Sequence, residues 1–314
     1  MPLLDLGVAI AIGLRYFTII YLTGLGGLFS ERSGIVNIGL EGMMIIGTVM
    51  GAWGTIEWGP VAGLTIGALS GLTLGLLHAL ATVTFRVDHI VSGVVINVMA
   101  VGMGRFFAQT FFGQATQSDP SIPHFDKFDV PLLSSLPLGL GRAFEDMSPV
   151  VPLAFLLTIP VLFVLKKTRF GLRLRSAGEN PDATRSVGVR VAPLRYAGVA
   201  ISGALAGLAG AFLAIEVNEL YHEGQTQGLG FIALAALILG NWKPVSLMLG
   251  SLLFGFAQAI PLRLSDAPVI SLMPEQFIRM IPYVVTMIAI AGFVGRVQPP
   301  AAAGRAYEGA GGTL

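Results

Sequence analysis

The chain has 314 residues, 54% of them hydrophobic and only 12% charged, with a net charge of +1; a soluble domain carries about 25% charged residues. That low share, with 41 glycines and a mean hydropathy of +0.77, excludes an ordinary soluble enzyme and reads as a multi-pass membrane protein. With no cysteine, no metal-ligand spacing among the four histidines and no Gly-Lys dipeptide, the sequence offers no thiol chemistry, no metal site and no Walker-type ATP loop.

In chain order, about nine stretches are predicted to span a bilayer, which takes about 20 mostly apolar residues each. They are Leu6–Phe29, Asn37–Ile56, Val61–Val83, Ile90–Phe112, Val150–Leu165, Leu194–Ile215, Leu229–Trp242, Val245–Leu262 and Gln276–Val294. The expected fold class is all-α, a polytopic transmembrane helical bundle. The opening MPLLDLG has no basic n-region, so the first stretch reads as a retained span and not a signal peptide. The seventh stretch is too short to cross comfortably and is predicted to be a broken or re-entrant element, which is tolerated at depth only where it is buried or lines a cavity.

Charge sets the orientation. The loop Lys166–Arg195 carries Lys166, Lys167, Arg169, Arg173, Arg175, Arg185, Arg190 and Arg195 against only Glu179 and Asp182. Basic loops stay inside, so this loop is expected to be cytoplasmic. Alternation places Glu31–Arg32, Arg86–His89, Asn241–Pro244 and the C-terminal tail on the same side. Gly113–Pro149, Glu216–Gly228 and Arg263–Glu275 then face outward. The outer segments are acidic, with Asp119, Asp126, Asp129, Glu145 and Asp146 in one and Glu216, Glu219 and Glu223 in the other. They read as solvated loops or as a landing surface for a basic partner.

Small residues recur every four positions on two spans: Gly63, Gly67, Gly71 and Gly75, then Gly198, Ser202, Ala206 and Gly210. Such stripes let helix backbones approach closely. Packing within the subunit is the expected use, a dimer seam the other. A weak internal repeat relates spans one to four to spans six to nine by inversion. Ser33-Gly-Ile-Val-Asn-Ile-Gly-Leu-Glu-Gly opens the second span and Gln227-Gly-Leu-Gly-Phe-Ile opens the seventh. Inverted repeats place a pathway at their interface.

Within the basic loop, Asn180 suits a helix N-cap, Pro181 the first helical position, Asp182 the positive end of the dipole and Gly188 the position after the end. A short helix is predicted over about Pro181 to Val187, outside the membrane. Capping at both ends favours a docking element over a loop whose charges only set topology. Four ionisable residues fall at membrane depth and are functional candidates: Arg15, Glu41, Arg105 and Arg279. Glu41 is expected to pair with Arg15, and either to orient a broken helix or to line a pathway. Arg105 and Arg279 lie nearer the outer ends, within reach of the interface. Asn97 is either an interhelical hydrogen bond or a pathway contact. The tail Gln298–Leu314 is low in complexity and expected to be disordered.

Leu28-Phe-Ser-Glu-Arg-Ser-Gly-Ile-Val-Asn-Ile-Gly-Leu-Glu-Gly-Met-Met resembles the early signature of ABC-importer permeases of the branched-chain amino acid and simple-sugar group, and its wording is closest to the nucleoside (guanosine-type) permeases. Phe170-Gly-Leu-Arg-Leu-Arg-Ser-Ala-Gly-Glu-Asn-Pro-Asp-Ala resembles that family's coupling loop, and Gly228-Leu-Gly-Phe-Ile-Ala-Leu-Ala-Ala its second-half motif. The resemblance covers roughly residues 6 to 295. Where sugar permeases of the group read Gly-Ile-Asp-Leu-Ser, this chain has Gly34-Ile-Val-Asn-Ile-Gly-Leu-Glu, which argues against a pentose importer.

The resemblance implies a fold like that of type II importers, with a transmembrane permease domain over 1–295, a coupling loop at 166–195 and a disordered tail from 296 to 314. It implies a pore-forming subunit in the bacterial inner membrane, not an enzyme, with no cofactor of its own. Its implied partners are a cytoplasmic ABC ATPase, a second permease subunit that is a different chain, an external substrate-binding protein and membrane lipid, with no nucleic acid. Gly178, Glu179, Asn180, Pro181, Asp182, Arg185 and Gly188 would couple to the ATPase. Asn37, Glu41, Asn97, Arg105 and Phe231 are the candidates for the translocation pathway. The alternatives are an ABC permease for a sugar or a branched-chain amino acid, and a secondary transporter or channel for a small polar solute.

Overall fold

The computed structural model describes residues 6–118, 122–137, 139–264, 275–293 and 297–307. The described residues are helical and contain no β-strand, only the isolated bridges Gln117–His222 and Phe128–Met147. In chain order the helices are α1 (Leu6–Arg32), α2 (Leu40–Trp58), α3 (Pro60–Ala79), α4 (His89–Phe112), α5 (Val150–Leu156), α6 (Thr158–Lys167) and α7 (Arg169–Glu179). There follow α8 (Pro181–Ser186), α9 (Val191–Phe212), α10 (Leu229–Leu239), α11 (Pro244–Leu264), α12 (Glu275–Arg279) and α13 (Ile281–Phe293). Wide π-helical turns extend α3 over Leu80–Thr84 and α9 over Leu213–Val217.

Among the described residues six helical stretches are long and apolar enough to cross a membrane: Leu6–Arg32, Pro60–Thr84, His89–Phe112, Val150–Lys167, Val191–Val217 and Pro244–Leu262. The second, seventh and ninth expected spans differ from these. Helix α2 has the length, but Glu41, Glu57 and the glycines at 42, 47, 51 and 54 lower its hydropathy. Helix α10 has 11 residues and rises about 16 Å, half of a hydrocarbon core about 30 Å thick. The ninth stretch is divided between α12 and α13 at Met280.

Helix α1 is the central post, buried from Phe17 through Glu31. It packs against α9 and α11, and α9 in turn lies against α2 and α3. The stripe on α3 meets Gly203 and Gly207 of α9, while the expected stripe beside them faces elsewhere, Gly198 against α1 and Gly210 against α2. A Cβ on Gly203 would lie 2.3 Å from the Gly71 carbonyl oxygen, and one on Gly207 would lie 2.2 Å from that of Gly67. With no side chain between them, α3 and α9 meet backbone to backbone, as lipid-embedded helices do where no hydrophobic drive favours burial.

The connections gather at two ends. At one, α7 and α8 meet the α1–α2 connection, the α10–α11 turn and residues 297–307. The tail expected to be disordered is docked over those residues: its amides find acceptors at Asn241, Glu179, Gly178 and Gly34. Residues 308–314 lie outside the described set. At the other end, the segment after α4 is stitched to the segment after α9. The Ser118 amide donates to the Tyr221 carbonyl, Ile122 to Glu219, and Glu223 to Thr116. Phe125 donates to the Glu216 carboxylate, and Lys127 pairs with Glu219 at 3.0 Å.

Candidate functional site

Helix α2 is preceded by seven residues, Ser33–Gly39, that are not helical and lie deep in the bundle. Backbone polar groups there have no water to bond to, so side chains must serve. Histidines do part of this. His78 of α3 donates from Nε2 to the Val36 carbonyl at 3.1 Å while its Nδ1 meets Ser92 Oγ at 2.9 Å, and His89 Nδ1 accepts the Val36 amide at 3.3 Å. Ser30 Oγ donates to the Ile35 carbonyl at 2.7 Å, and Asn97 of α4 adds two bonds. Its Oδ1 accepts from the Gly42 amide at 2.8 Å and its Nδ2 donates to the Ile38 carbonyl at 3.0 Å. Gly42 is in the first turn of α2, so Asn97 caps that helix from another one.

Glu41 is spent in the same way on a different helix. Its carboxylate accepts the amides of Gly228 at 2.9 Å and Gly230 at 2.7 Å. These are the N-cap and second residue of α10, where the positive end of the helix dipole favours an anion. The N-termini of α2 and α10 therefore meet at one carboxylate. The expected Glu41–Arg15 pair does not form. Arg15 instead lines a small recess with Glu145 and Asp146 of the outer segment, because α1 brings it to the outer end of the bundle. Asn37 is fully buried and donates to Ser202 Oγ on α9 at 2.9 Å.

Of the five pathway candidates, Asn37, Glu41 and Asn97 converge on the start of α2, and all three hold backbone or bundle together. Arg105 and Phe231 are outward-facing: Phe231 is 48% exposed, and Arg105 reaches the Glu223 carboxylate with its own side chain 61% exposed. Glu223, Tyr221, Gly224, Gln225 and Thr226 roof a cavity of about 70 Å³ over Ile45, Thr48 and Val101. Burial, reinforced by Glu223, pushes the Tyr221 phenol up to about 12, so it stays protonated. Pockets that enclose small molecules run from about 300 to 1,000 Å³; this one holds little more than water. Arg279 lies in α12, and its side chain is outside the described residues.

At the opposite end, α8 forms where the capping pattern predicts, one residue shorter. Asn180 Oδ1 accepts the Ala183 amide at 2.9 Å, Pro181 opens the helix and Gly188 follows it at φ +79°. Asn180, Asp182, Arg185 and Gly188 are exposed. Helix α7 was not foreseen. Thr168 caps it by accepting the Gly171 amide at 3.1 Å, and Leu174, Ala177 and Gly178 form its buried face. Gly178 touches α1: a Cβ there would lie 2.3 Å from the Arg32 carbonyl oxygen. Glu179 pairs with Arg32 at 3.5 Å. Arg32 also donates to the Trp242 carbonyl at 2.7 Å, and Trp242 donates its indole N–H to Glu31. Of the coupling-loop candidates, Gly178 and Glu179 thus touch the end of α1, and Arg32 there reaches on to Trp242 in the α10–α11 turn.

Among the described residues no group of three or more His, Asp or Glu side chains has the geometry to hold a metal.

Comparison with known proteins follows the same outline. The family model described as branched-chain amino acid transport system, permease component, matches residues 9–291. The nucleoside ABC transporter permease protein NupC of Lactococcus lactis subsp. cremoris is 41% identical over 312 residues, covering 96% of this chain and 97% of that one. The guanosine ABC transporter permease protein NupQ of Bacillus subtilis is 39% identical over 310 residues, with 96% and 97% covered. A second guanosine permease of the same Bacillus strain, NupP, is 24% identical over 290 residues, with 90% and 81% covered. No solved structure gives a significant match.

Proposed function

The chain belongs to the family of branched-chain amino acid transport system permease components, and on that footing we propose that it is the permease subunit of an ATP-driven importer that takes nucleosides across the bacterial inner membrane. The observation that carries the substrate class is identity of about two residues in five, over nearly the whole length, to relatives named for nucleosides and for guanosine. The chain itself has no phosphate-binding loop, so ATP hydrolysis belongs to a separate subunit.

The exposed helix α8 is the element that docks on that ATPase. Its rigidity is supported by caps at both ends, and its seat on α1 through α7, Gly178 and Arg32 gives any movement a solid path into the bundle. Two permeases per importer are supported by the pair NupQ and NupP in one organism; this chain resembles the former more, so its partner is a second, different permease. The small size of the cavity beneath Tyr221 favours a pathway on the face between the two permeases, bordered by exposed Phe231 and Arg105. The stitched outer segments, rich in acids, are the surface for an external binding protein.

Nine crossings in two inverted halves are supported by reciprocal packing. Helix α1 lies against α11 as α9 lies against α3, and α1 contacts α10 of the other half as α9 contacts α2. In such a scheme α2 and α10 are discontinuous crossings whose N-termini face each other at depth, the arrangement in which broken helices are tolerated. Alternating access then consists of two sealed states that differ by a rigid shift of these halves.

The test is uptake of labelled guanosine into liposomes holding this chain with its partner permease, ATPase and binding protein. Uptake should require ATP and all four components. Replacing Pro181 with Gly and Asp182 with Lys together should abolish uptake while the protein remains inserted. Solute movement by this chain alone without ATP would instead mark a channel or secondary transporter.

A further inference from the structure

Residues 297–307 make one bond after another to elements that are otherwise separate. The Gln298 amide donates to Asn241 Oδ1 at 3.0 Å, in the α10–α11 turn. The Ala301 amide donates to Glu179 Oε2 at 3.2 Å and the Ala302 amide to the Gly178 carbonyl at 2.9 Å, both at the end of α7. Two residues on, the Gly304 amide donates to the Gly34 carbonyl at 3.2 Å, in the connection that leads into α2. The strap therefore crosses the seam between the coupling loop and the α2 connection and is bonded on both sides of it.

Its far end is held by Arg195, in the first turn of α9. This residue is 1% exposed, and among the described residues no carboxylate pairs with it. Nη1 donates to the Arg305 carbonyl at 3.2 Å, and the guanidinium carbon lies 5.6 Å from the centre of the Tyr307 ring. Among the described residues, Nε and Nη2 have no hydrogen-bond partner. Nη2 lies against Gly34, where a Cβ would come within 2.9 Å of it. A buried cation that finds, among the described residues, one carbonyl and one ring for company is costly to keep. Both of those partners belong to the strap. With the strap in place the charge is buried but partly satisfied; with the strap lifted it reaches water. Two arrangements of comparable energy are what a switching element needs.

The route from Gly34 inward is short. Val36 is gripped by His78 and His89, Asn37 by Ser202, and Gly42 by Asn97, and Glu41 holds the start of α10. A shift of Gly34 is thereby passed to the point where α2 and α10 meet.

We infer that the strap 297–307 is the mechanical link that carries movement of the α7–α8 coupling loop to the segment entering α2, with Arg195 as its positioning residue. The inference rests on the permease reading above and adds to it the element that transmits the stroke.

The experiment uses the complete reconstituted importer and compares guanosine moved per ATP hydrolysed. Ending the chain at residue 296, or replacing Arg195 with Ala, should lower that ratio about tenfold while the ATPase still co-purifies; Arg195→Lys, which keeps the charge but not the planar fork, should fall between. Should Arg195→Ala not accumulate, the shortened chain and Tyr307→Leu decide. The chain has no cysteine, so Ala302→Cys gives a single thiol at a residue 6% exposed. Its labelling by a maleimide should differ about threefold or more between the nucleotide-free and ATP-bound complex, the sign of two populated arrangements. A ratio within about twofold of wild type in the shortened chain, or equal labelling in both states, overturns the strap's role and leaves the permease reading standing. Absence of ATP-driven uptake by the unaltered complex brings down the permease reading and the strap with it.

Discussion

Gly230 lies so close to Glu41 that a Cβ on it would sit 2.7 Å from both the main-chain nitrogen and the Cα of Glu41. The same pair is joined by the Gly230 amide and Glu41 Oε2 at 2.7 Å. Backbone contact and hydrogen bond together set the distance between α2 and α10. Gly230→Ala should push the two helices apart, since neither contacted atom is a movable side chain. Glu41→Gln keeps the shape but turns an NH2 toward an amide donor, which costs about 1–3 kcal/mol for the unmet group. Thermal unfolding in detergent should rank wild type above Glu41→Gln and that above Gly230→Ala, with uptake falling in the same order. Wild-type behaviour of Glu41→Gln would show that the carboxylate does not hold α10.

Asn97 satisfies a donor and an acceptor of the non-helical approach to α2. Asn97→Leu strips both, and Asn97→Asp keeps the acceptor for Gly42 while setting a carboxylate against the Ile38 carbonyl. Each unmet buried group costs about 1–3 kcal/mol. Both variants should lower the unfolding temperature, and Asn97→Gln should not restore it because its amide lies one methylene too far. Equal stability of Asn97→Leu and wild type would contradict the capping role.

The seam between α3 and α9 has no room for a methyl group. Gly203→Ala puts a Cβ at 2.3 Å from the Gly71 carbonyl oxygen. Overpacking of this kind costs about 1–3 kcal/mol. The yield of monodisperse protein should drop. Substitution at Gly102, whose Cβ would meet nothing within 4 Å, serves as the control and should leave the yield unchanged.

The Lys127–Glu219 bridge predicts that the outer stitching loosens in acid. The hydrogen bond from Lys127 holds the Glu219 carboxyl below the usual carboxylate range, and the charges of Lys127, His124 and Arg15 act in the same direction. A carboxyl with a lowered folded-state pKa stabilises the fold above its ordinary range, and that contribution is lost as pH falls through the lowered value. Limited proteolysis between residues 122 and 149 should therefore speed up on acidification. Glu219→Gln should show the faster cleavage already at neutral pH; a pH-independent rate in the wild type would rule the bridge out as the cause.

Several features were readable from neighbouring residues alone. Asn180, Pro181 and Gly188 define α8 because helix caps bond within three or four positions of themselves. The four-residue repeat of small side chains predicted a close helix contact for the same reason, since one helix face is written at that spacing. Helix α7 is not legible in the sequence although Thr168 caps it, because its arginines read as a solvated loop while Leu174, Ala177 and Gly178 make its buried side. The strap reads as disorder in the sequence because its prolines, alanines and glycine carry no periodic pattern; its bonds are made by main-chain amides, which composition does not reveal.

What the sequence by itself determined is the membrane character of the chain, the sorting of basic and acidic loops to opposite faces, and the helix ends that cap themselves. Only the tertiary structure decided that Glu41 serves Gly228 and Gly230 instead of Arg15, that Asn97 caps α2, and that Arg195 is held by the tail. The physical reason is that buried polar groups within a bilayer have no water to fall back on. Each must find a partner wherever packing brings one, here up to 211 positions away in the chain, and that pairing is a property of the assembled helices.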